Sequence, residues 1–176
     1  MSEQLKNYIR SIKDFPVKGI MFRDITTLLK DPDAINLTLK ELLSFTDGVK
    51  IDEVVGIESR GFIFGSMLAQ KLGVGFIPAR KPGKLPAETE SQIYQLEYGE
   101  DKIEIHKDAI SPGDKVLLHD DLLATGGTAQ AAVKLIEKLG GEVVQVSFII
   151  ELTFLQGKEK LKGYNVKTLV TYDDES

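Results

Sequence analysis

The chain has 176 residues, 42% of them hydrophobic and 28% charged, with a formal net charge of −5. That is enough apolar chain for a single domain over residues 1–176 with its own core, while the acidic balance argues against a nucleic-acid partner, whose phosphates demand clustered Lys and Arg. Cysteine is absent, which excludes disulfides, thiolate nucleophiles and Cys-based zinc sites, and with only His106 and His119 no histidine metal cluster is expected.

The first residues carry charge from Glu3 onward and lack an apolar stretch of signal-peptide length. No later apolar run approaches a membrane span, so a cytoplasmic protein with no membrane association is expected. Leu5, Ile9 and Ile12, with Tyr8 beside them, recur at helical spacing and predict an amphipathic helix over residues 3–13, ending near Pro16. Residues 15–25 are apolar but irregular, and a second helix is predicted over 33–45 with Asp33 as its cap. Strands at 53–57 and 75–79 enclose a helix at 61–72, which makes a βαβ unit. Residues 80–92 are polar and rich in Pro, Gly and Lys, too long for an ordinary connection, and read as a lid. Short apolar runs at 93–96 and 103–105 flank Glu97-Tyr98-Gly99-Glu100 and suggest an antiparallel hairpin. A turn at 111–114 leads to a strand at 115–119, a helix at 129–139 and a strand at 142–150. A short helix near 155–161 and a strand at 166–171 finish the chain. Strands alternating with helices predict an α/β fold, a mainly parallel sheet covered on both faces.

The most informative stretch is the end of the strand at 115–119. An apolar run meets Asp120-Asp121, then Leu122-Leu123-Ala124-Thr125-Gly126-Gly127-Thr128, then a helix. A helix N-terminus behind a glycine-rich turn offers unpaired N–H groups and a positive dipole end to an anion, and Thr125 and Thr128 add hydroxyl donors. Two carboxylates beside a phosphate would repel it unless they face sugar hydroxyls or a metal ion, so the implied ligand is a sugar phosphate. The Walker pattern is excluded, because Thr128 stands where it needs Lys.

Glu58-Ser59-Arg60-Gly61 occupies the same strand-to-helix context and predicts a second anion site, with the planar Arg60 fork suited to pyrophosphate. Read alone, the same residues fit an N-cap and a surface cation. Arg80-Lys81-Pro82-Gly83-Lys84-Leu85-Pro86 supplies counter-charge for a polyanion, or simply a solvated face. Glu97-Tyr98 lies in the hairpin, where a carboxylate on a closing element is suited to handle a proton. Phe22, in Met21-Phe22-Arg23-Asp24, offers a ring to stack on a base. His119 reads as a packed neighbour of the Asp pair rather than a catalyst.

The 120–128 stretch resembles the phosphoribosyl pyrophosphate (PRPP) motif of the type I phosphoribosyltransferases. Phe15-Pro16, Gly19-Ile20-Met21-Phe22-Arg23-Asp24-Ile25, Glu58-Ser59-Arg60-Gly61-Phe62, the 80–86 loop, Leu96-Glu97-Tyr98-Gly99 and residues 144–152 extend the likeness nearly end to end and point to the adenine branch. His119 departs from the aliphatic residue usual there, and the tail after Tyr172 is longer and more acidic than the family pattern.

The resemblance implies a twisted parallel sheet flanked by helices, with an N-terminal hood over residues 1–50 and a flexible lid over 80–105. It implies transfer of the 5-phosphoribosyl group from PRPP to adenine, giving AMP and pyrophosphate, with Mg²⁺ held mainly by substrate and water, in a homodimer. By the same resemblance Ala124, Thr125, Gly126, Gly127 and Thr128 cradle the 5′-phosphate, while Asp120 and Asp121 hold the ribose and oppose its developing positive charge. Ser59 and Arg60 take pyrophosphate, with Arg80, Lys81 and Lys84 adding counter-charge. Glu97 handles the adenine proton and Tyr98 helps close the site. Adenine lies between Phe22 and Leu123, read by the backbone of Met21 and Arg23. The resemblance also implies strained, cis geometry at Glu58-Ser59. Two other readings share the motif: a transferase for a 6-oxopurine, and a PRPP-sensing regulator, which would carry a DNA-binding segment that this sequence does not display.

Overall fold

The structure, a computed structural model, describes residues 3–95 and 99–175. Its centre is a parallel sheet of five strands, β3 (Glu53–Ile57), β4 (Gly75–Ala79), β7 (Lys115–Leu123), β8 (Glu142–Leu152) and β9 (Val166–Tyr172), in the spatial order β4-β3-β7-β8-β9. These strands are nearly continuous apolar runs because both faces of the sheet are covered. On one face lie α2 (Pro32–Ser44), α3 (Gly61–Leu72) and the N-terminal segment, whose Leu5, Ile25, Leu42, Phe64 and Leu68 form one core layer. The other face is covered by α4 (Gly127–Lys138) and a hairpin of β5 (Thr89–Gln95) and β6 (Glu100–His106), with Ala132, Leu135, Ile103 and Ile105 in the second layer. An antiparallel bridge from Arg80 to Glu104 ties that hairpin to the end of β4.

The predicted α/β architecture and the βαβ unit at 53–79 are present with the expected bounds. The N-terminus differs. Instead of one helix over 3–13, a 3₁₀ turn (Glu3–Tyr8) leads into β1 (Arg10–Lys13), which pairs antiparallel with β2 (Met21–Asp24) in the segment read as irregular. Leu5 and Ile9 are buried as the helical spacing required. The turn between Lys13 and Met21, with its cis Phe15-Pro16 peptide, returns the chain so that the backbone groups of 10–13 find partners on 21–24. A five-residue helix, α1 (Thr26–Lys30), follows unpredicted. The cap of α2 is Asp31, not Asp33: its carboxylate accepts from the N–H groups of Asp33 and Ala34 at 2.9 and 3.0 Å, with Pro32 in the first turn.

The hairpin strands are longer than predicted, with β5 beginning at Thr89 inside the expected lid. β7 runs on through the Asp pair to Leu123, because Leu122 and Leu123 pair with Ile150 and Glu151 of β8. α4 starts at Gly127 rather than at residue 129, and the predicted helix at 155–161 is a pair of 3₁₀ turns, Thr153–Leu155 and Gly157–Leu161.

The β1–β2 ribbon is anchored by Asp24. Its carboxylate accepts from the Thr26 N–H at 2.9 Å, the Thr26 hydroxyl at 2.7 Å and Arg10 Nη2 at 2.5 Å. Burial alone would raise its pKa, but the Thr26 and Arg10 bonds outweigh it and bring the value down to about 2. A carboxylate depressed in the folded state stabilises the protein above its unfolded pKa and loses that contribution as pH falls through the folded value. Urea titrations should therefore show wild-type stability declining from about pH 4 to about pH 2, and Asp24→Asn should cost about 1–2 kcal/mol at neutral pH.

Candidate active site

The C-terminal ends of the parallel neighbours β4, β3 and β7 lie side by side, at the edge where an open parallel sheet places its ligands. At the end of β7, residues Ala124 to Thr128 turn into α4 through Gly126, which has φ +76°. The first turn of α4 carries no side-chain cap bond, so its N–H groups face the turn with a positive dipole end. A cavity of about 200 Å³ lies here, lined by Asp120, Leu122 and the loop through Ala129. The loop is shaped from behind. A Cβ on Gly126 would stand 2.4 Å from the Gly157 carbonyl oxygen, and one on Gly157 would stand 2.2 Å from that of Ala124. Only glycine fits at either position.

Asp120 and Asp121 sit beside the N-terminus of α3. A Cβ on Gly61 would lie 2.9 Å from both Asp120 Oδ1 and the His119 carbonyl, so Gly61 is what lets that helix end meet the carboxylates. Asp120 Oδ1 accepts the Asp121 N–H at 2.8 Å. Arg60 Nε lies 3.0 Å from the buried Asp121 Oδ2, an ion pair without hydrogen-bond alignment. Burial and the charge of Asp121 push the Asp120 pKa well up, and burial raises Asp121 against the pull of Arg60. A positive centre arriving beside this pair would favour the ionised forms of both. The Glu58-Ser59 peptide that precedes Arg60 is cis, as the resemblance implies.

The Arg60 guanidinium also stands 5.1 Å from the Phe22 ring centroid, which links the β2 ribbon to the Asp pair. Met21 and Phe22 are half-buried. The Arg23 side chain points elsewhere: it donates to Ser11 Oγ and lies over the Tyr172 ring at 3.8 Å, leaving the backbone as the part of Arg23 that a ligand can meet. Leu123 is 1% exposed in the α4-side core, whereas Leu122 is half-buried and packs with the N-terminal layer. Both leucines line the loop cavity, Leu122 from the N-terminal layer and Leu123 from the α4 side.

The three cations of the 80–86 loop are all engaged with carboxylates. Glu58 accepts from Arg80 Nε at 2.9 Å, the Lys81 N–H at 3.1 Å and Lys84 Nζ at 2.5 Å. Burial would raise the Glu58 pKa, yet Lys84 and Arg80 hold it below the usual glutamate range. The Lys81 ammonium reaches the hairpin, donating to Asp101 and, at 2.7 Å, to the Tyr94 hydroxyl. Ser59 is exposed in front of this cluster. Glu97 and Tyr98 lie outside the described residues. His119 is fully buried, bonded through Nδ1 to Ser147 Oγ at 2.9 Å, and burial pushes its pKa down to about 3. It stays neutral beneath the site.

The sequence does not display Glu58 as the organiser of the cationic loop, nor Gly61 and Gly157 as close backbone approaches. Glu58 and Gly61 are the two ends of the Glu58-Ser59-Arg60-Gly61 motif, which marks their position but not these contacts. Gly157 had no local signal, since its contact is with a loop some thirty residues earlier in the chain.

Residues 27–173 match the phosphoribosyl transferase domain family. The chain is 60% identical over 169 residues to the adenine phosphoribosyltransferase of Christiangramia forsetii, spanning 96% of this chain and 99% of that protein. It is similar to the crystal structure of adenine phosphoribosyltransferase from Thermoanaerobacter pseudethanolicus, with TM-score 0.94, 54% identity, and coverage of 97% and 99% of the two chains. The Saccharomyces cerevisiae enzyme, crystallised with adenine and an imino-altritol bisphosphate, aligns with TM-score 0.90 and 42% identity over 96% of this chain and 97% of its own.

Glu58→Gln should loosen the cationic loop by removing the charge shared by Arg80 and Lys84. Limited trypsin digestion should then cut after Lys84 several-fold faster than in the wild type, with the rest of the chain still protected.

Proposed function

The chain belongs to the adenine phosphoribosyltransferase family, and from that membership we infer that it transfers the 5-phosphoribosyl group of PRPP to N9 of adenine, releasing pyrophosphate and giving AMP. The observation that carries the assignment to residues is the bridge made by Arg60, which joins the Phe22 ribbon to the Asp120-Asp121 pair beside the 124–128 loop. Base, ribose and phosphate surfaces thereby adjoin one another.

In the proposed mechanism the C1′–N9 bond forms as the C1′–O bond to pyrophosphate breaks. Ala124, Thr125, Gly126, Gly127 and Thr128 hold the 5′-phosphate on the dipole of α4. Asp120 and Asp121 accept from the ribose hydroxyls and stabilise the oxocarbenium character that develops as the leaving group departs. Ser59 and Arg60 take the pyrophosphate. Arg80, Lys81 and Lys84 add counter-charge once they exchange Glu58 and Asp101 for the anion, and that exchange requires the lid over 80–105 to move. Adenine stacks between Phe22 and the Leu122-Leu123 end of β7, and the backbone at Met21 and Arg23 reads its edge. A 6-oxopurine would swap an exocyclic donor for an acceptor and leave buried groups unpaired, which supports adenine as the base. The N9 proton passes to Glu97, with Tyr98 closing over the site.

Among the described residues there is no group of three carboxylates, histidines or cysteines able to hold a metal ion. The hard oxygen donors of Asp120 and Asp121, with Asp121 Oδ2 buried and lacking a hydrogen bond, fit a Mg²⁺ that keeps most of its ligands on substrate and water. Bound there, it would neutralise charge on the pyrophosphate and ribose oxygens. The exposed Phe15, Val17 and Ile20 support a homodimer, since such side chains gather where a partner covers them. No helix of the described residues is long and apolar enough to cross a membrane. We assign the protein to the cytoplasm because its substrate is a polyanion that does not cross membranes unaided.

Nucleotide formation from PRPP, Mg²⁺ and each purine base tests the reading: AMP from adenine should exceed product from hypoxanthine, guanine or xanthine by orders of magnitude. Faster turnover of a 6-oxopurine overturns the base assignment, and PRPP binding without product from any base overturns the enzyme. Asp121→Asn should lower kcat roughly 10- to 100-fold while the fold persists by circular dichroism, because it keeps shape and removes charge.

A further inference from the structure

Behind the phosphate loop lies a buried ion pair that none of the roles above uses. Glu151, 4% exposed at the end of β8, pairs in register with Leu123, the last residue of β7 before the loop begins. Its Oε2 accepts the Thr168 hydroxyl of β9 at 3.0 Å and the Lys158 ammonium. A buried carboxylate needs such partners, so it draws Lys158 inward from the segment that follows β8. One residue earlier is Gly157, whose main chain presses on the carbonyl of Ala124 and on Gly126. Gln156 makes this turn with φ +53°, and Gln130 of α4 fixes its far end by donating to the Lys160 carbonyl at 3.0 Å.

We propose that Glu151 and Lys158 are positioning residues for the 5′-phosphate: by clamping the 156–158 turn to the sheet, they hold Gly157 against the back of the 124–127 loop and so fix the direction of its N–H groups. The inference rests on the reading that this loop binds the 5′-phosphate of PRPP. An anion site made of backbone donors depends on the placement of the main chain, and here the main chain has neither a side-chain cap nor a partner strand beyond Leu123. The rigid surface behind it is the Gly157 turn. Lys158 is partly exposed, so it can be altered without opening the core.

The test is steady-state kinetics of the full chain with Lys158→Met, Lys158→Arg and Glu151→Gln, varying PRPP and adenine separately, with thermal melts alongside. Lys158→Met should raise KM for PRPP about five- to tenfold with KM for adenine within twofold, and Lys158→Arg should restore most of the loss. Glu151→Gln should act in the same direction, and combining it with Lys158→Met should add little, because both break one pair. Binding of ribose 5-phosphate by calorimetry should weaken in parallel. If Lys158→Met lowers the melting temperature but leaves both KM values unchanged, or raises them equally, the pair is merely structural and the proposal fails. Thr125→Val separates the two layers of argument. A raised KM for PRPP there with no effect at Lys158 overturns the positioning role alone, whereas no effect at Thr125 overturns the loop reading and this inference with it.

Discussion

Everything in the candidate site depends on how closely the N-terminus of α3 approaches the two carboxylates at the end of β7. Gly61 permits that approach, and Arg60 holds it through Asp121. A side chain at position 61 would drive the helix from the strand end and separate Arg60 from the Asp pair. The pair of half-buried Asp120 and buried Asp121 is costly on its own, with both pKa values raised by desolvation. The cost is consistent with a site whose complement is a positive charge that exists only during the reaction, since stabilisation reserved for the transition state is what raises a rate.

A second theme is the storage of cationic charge. Arg80 and Lys84 rest on Glu58, Lys81 on Asp101 and Tyr94, and Arg60 on Asp121. Each of these four cations thus already has a carboxylate partner. Such pairing keeps an otherwise self-repelling loop in place, and the binding of a polyanion becomes an exchange of partners rather than the ordering of a free loop. The pairs with exposed lysines are individually weak, which suits that exchange.

Much of the site was legible from the sequence where neighbouring residues do the work. The 120–128 stretch reads as strand, anion loop and helix because the order of apolar run, glycine turn and amphipathic pattern encodes each piece locally. The Leu122–Leu123 choice shows the limit: both are apolar, and only the packing layers separate the one that joins the N-terminal side from the one under α4. The N-terminal segment shows it again. Spacing marked Leu5 and Ile9 as packing side chains, as they are, while Ile12 stays half-buried in β1, because a turn and a strand replace the helix once residues 21–24 are available to pair.

By itself, then, the sequence determined the alternation of strands and helices and the two strand-to-helix loops that follow β3 and β7, because these follow from residues close together in the chain. The tertiary structure alone decided which distant groups meet: Arg60 with Asp121 and Phe22, Glu58 with Arg80 and Lys84, Gly126 with Gly157, and Arg23 with Tyr172. Such contacts depend on the order of strands in the sheet and on the close approach of backbones. Neither leaves a periodic trace in the chain, because a charged side chain or a glycine looks the same in sequence whichever distant partner it finds.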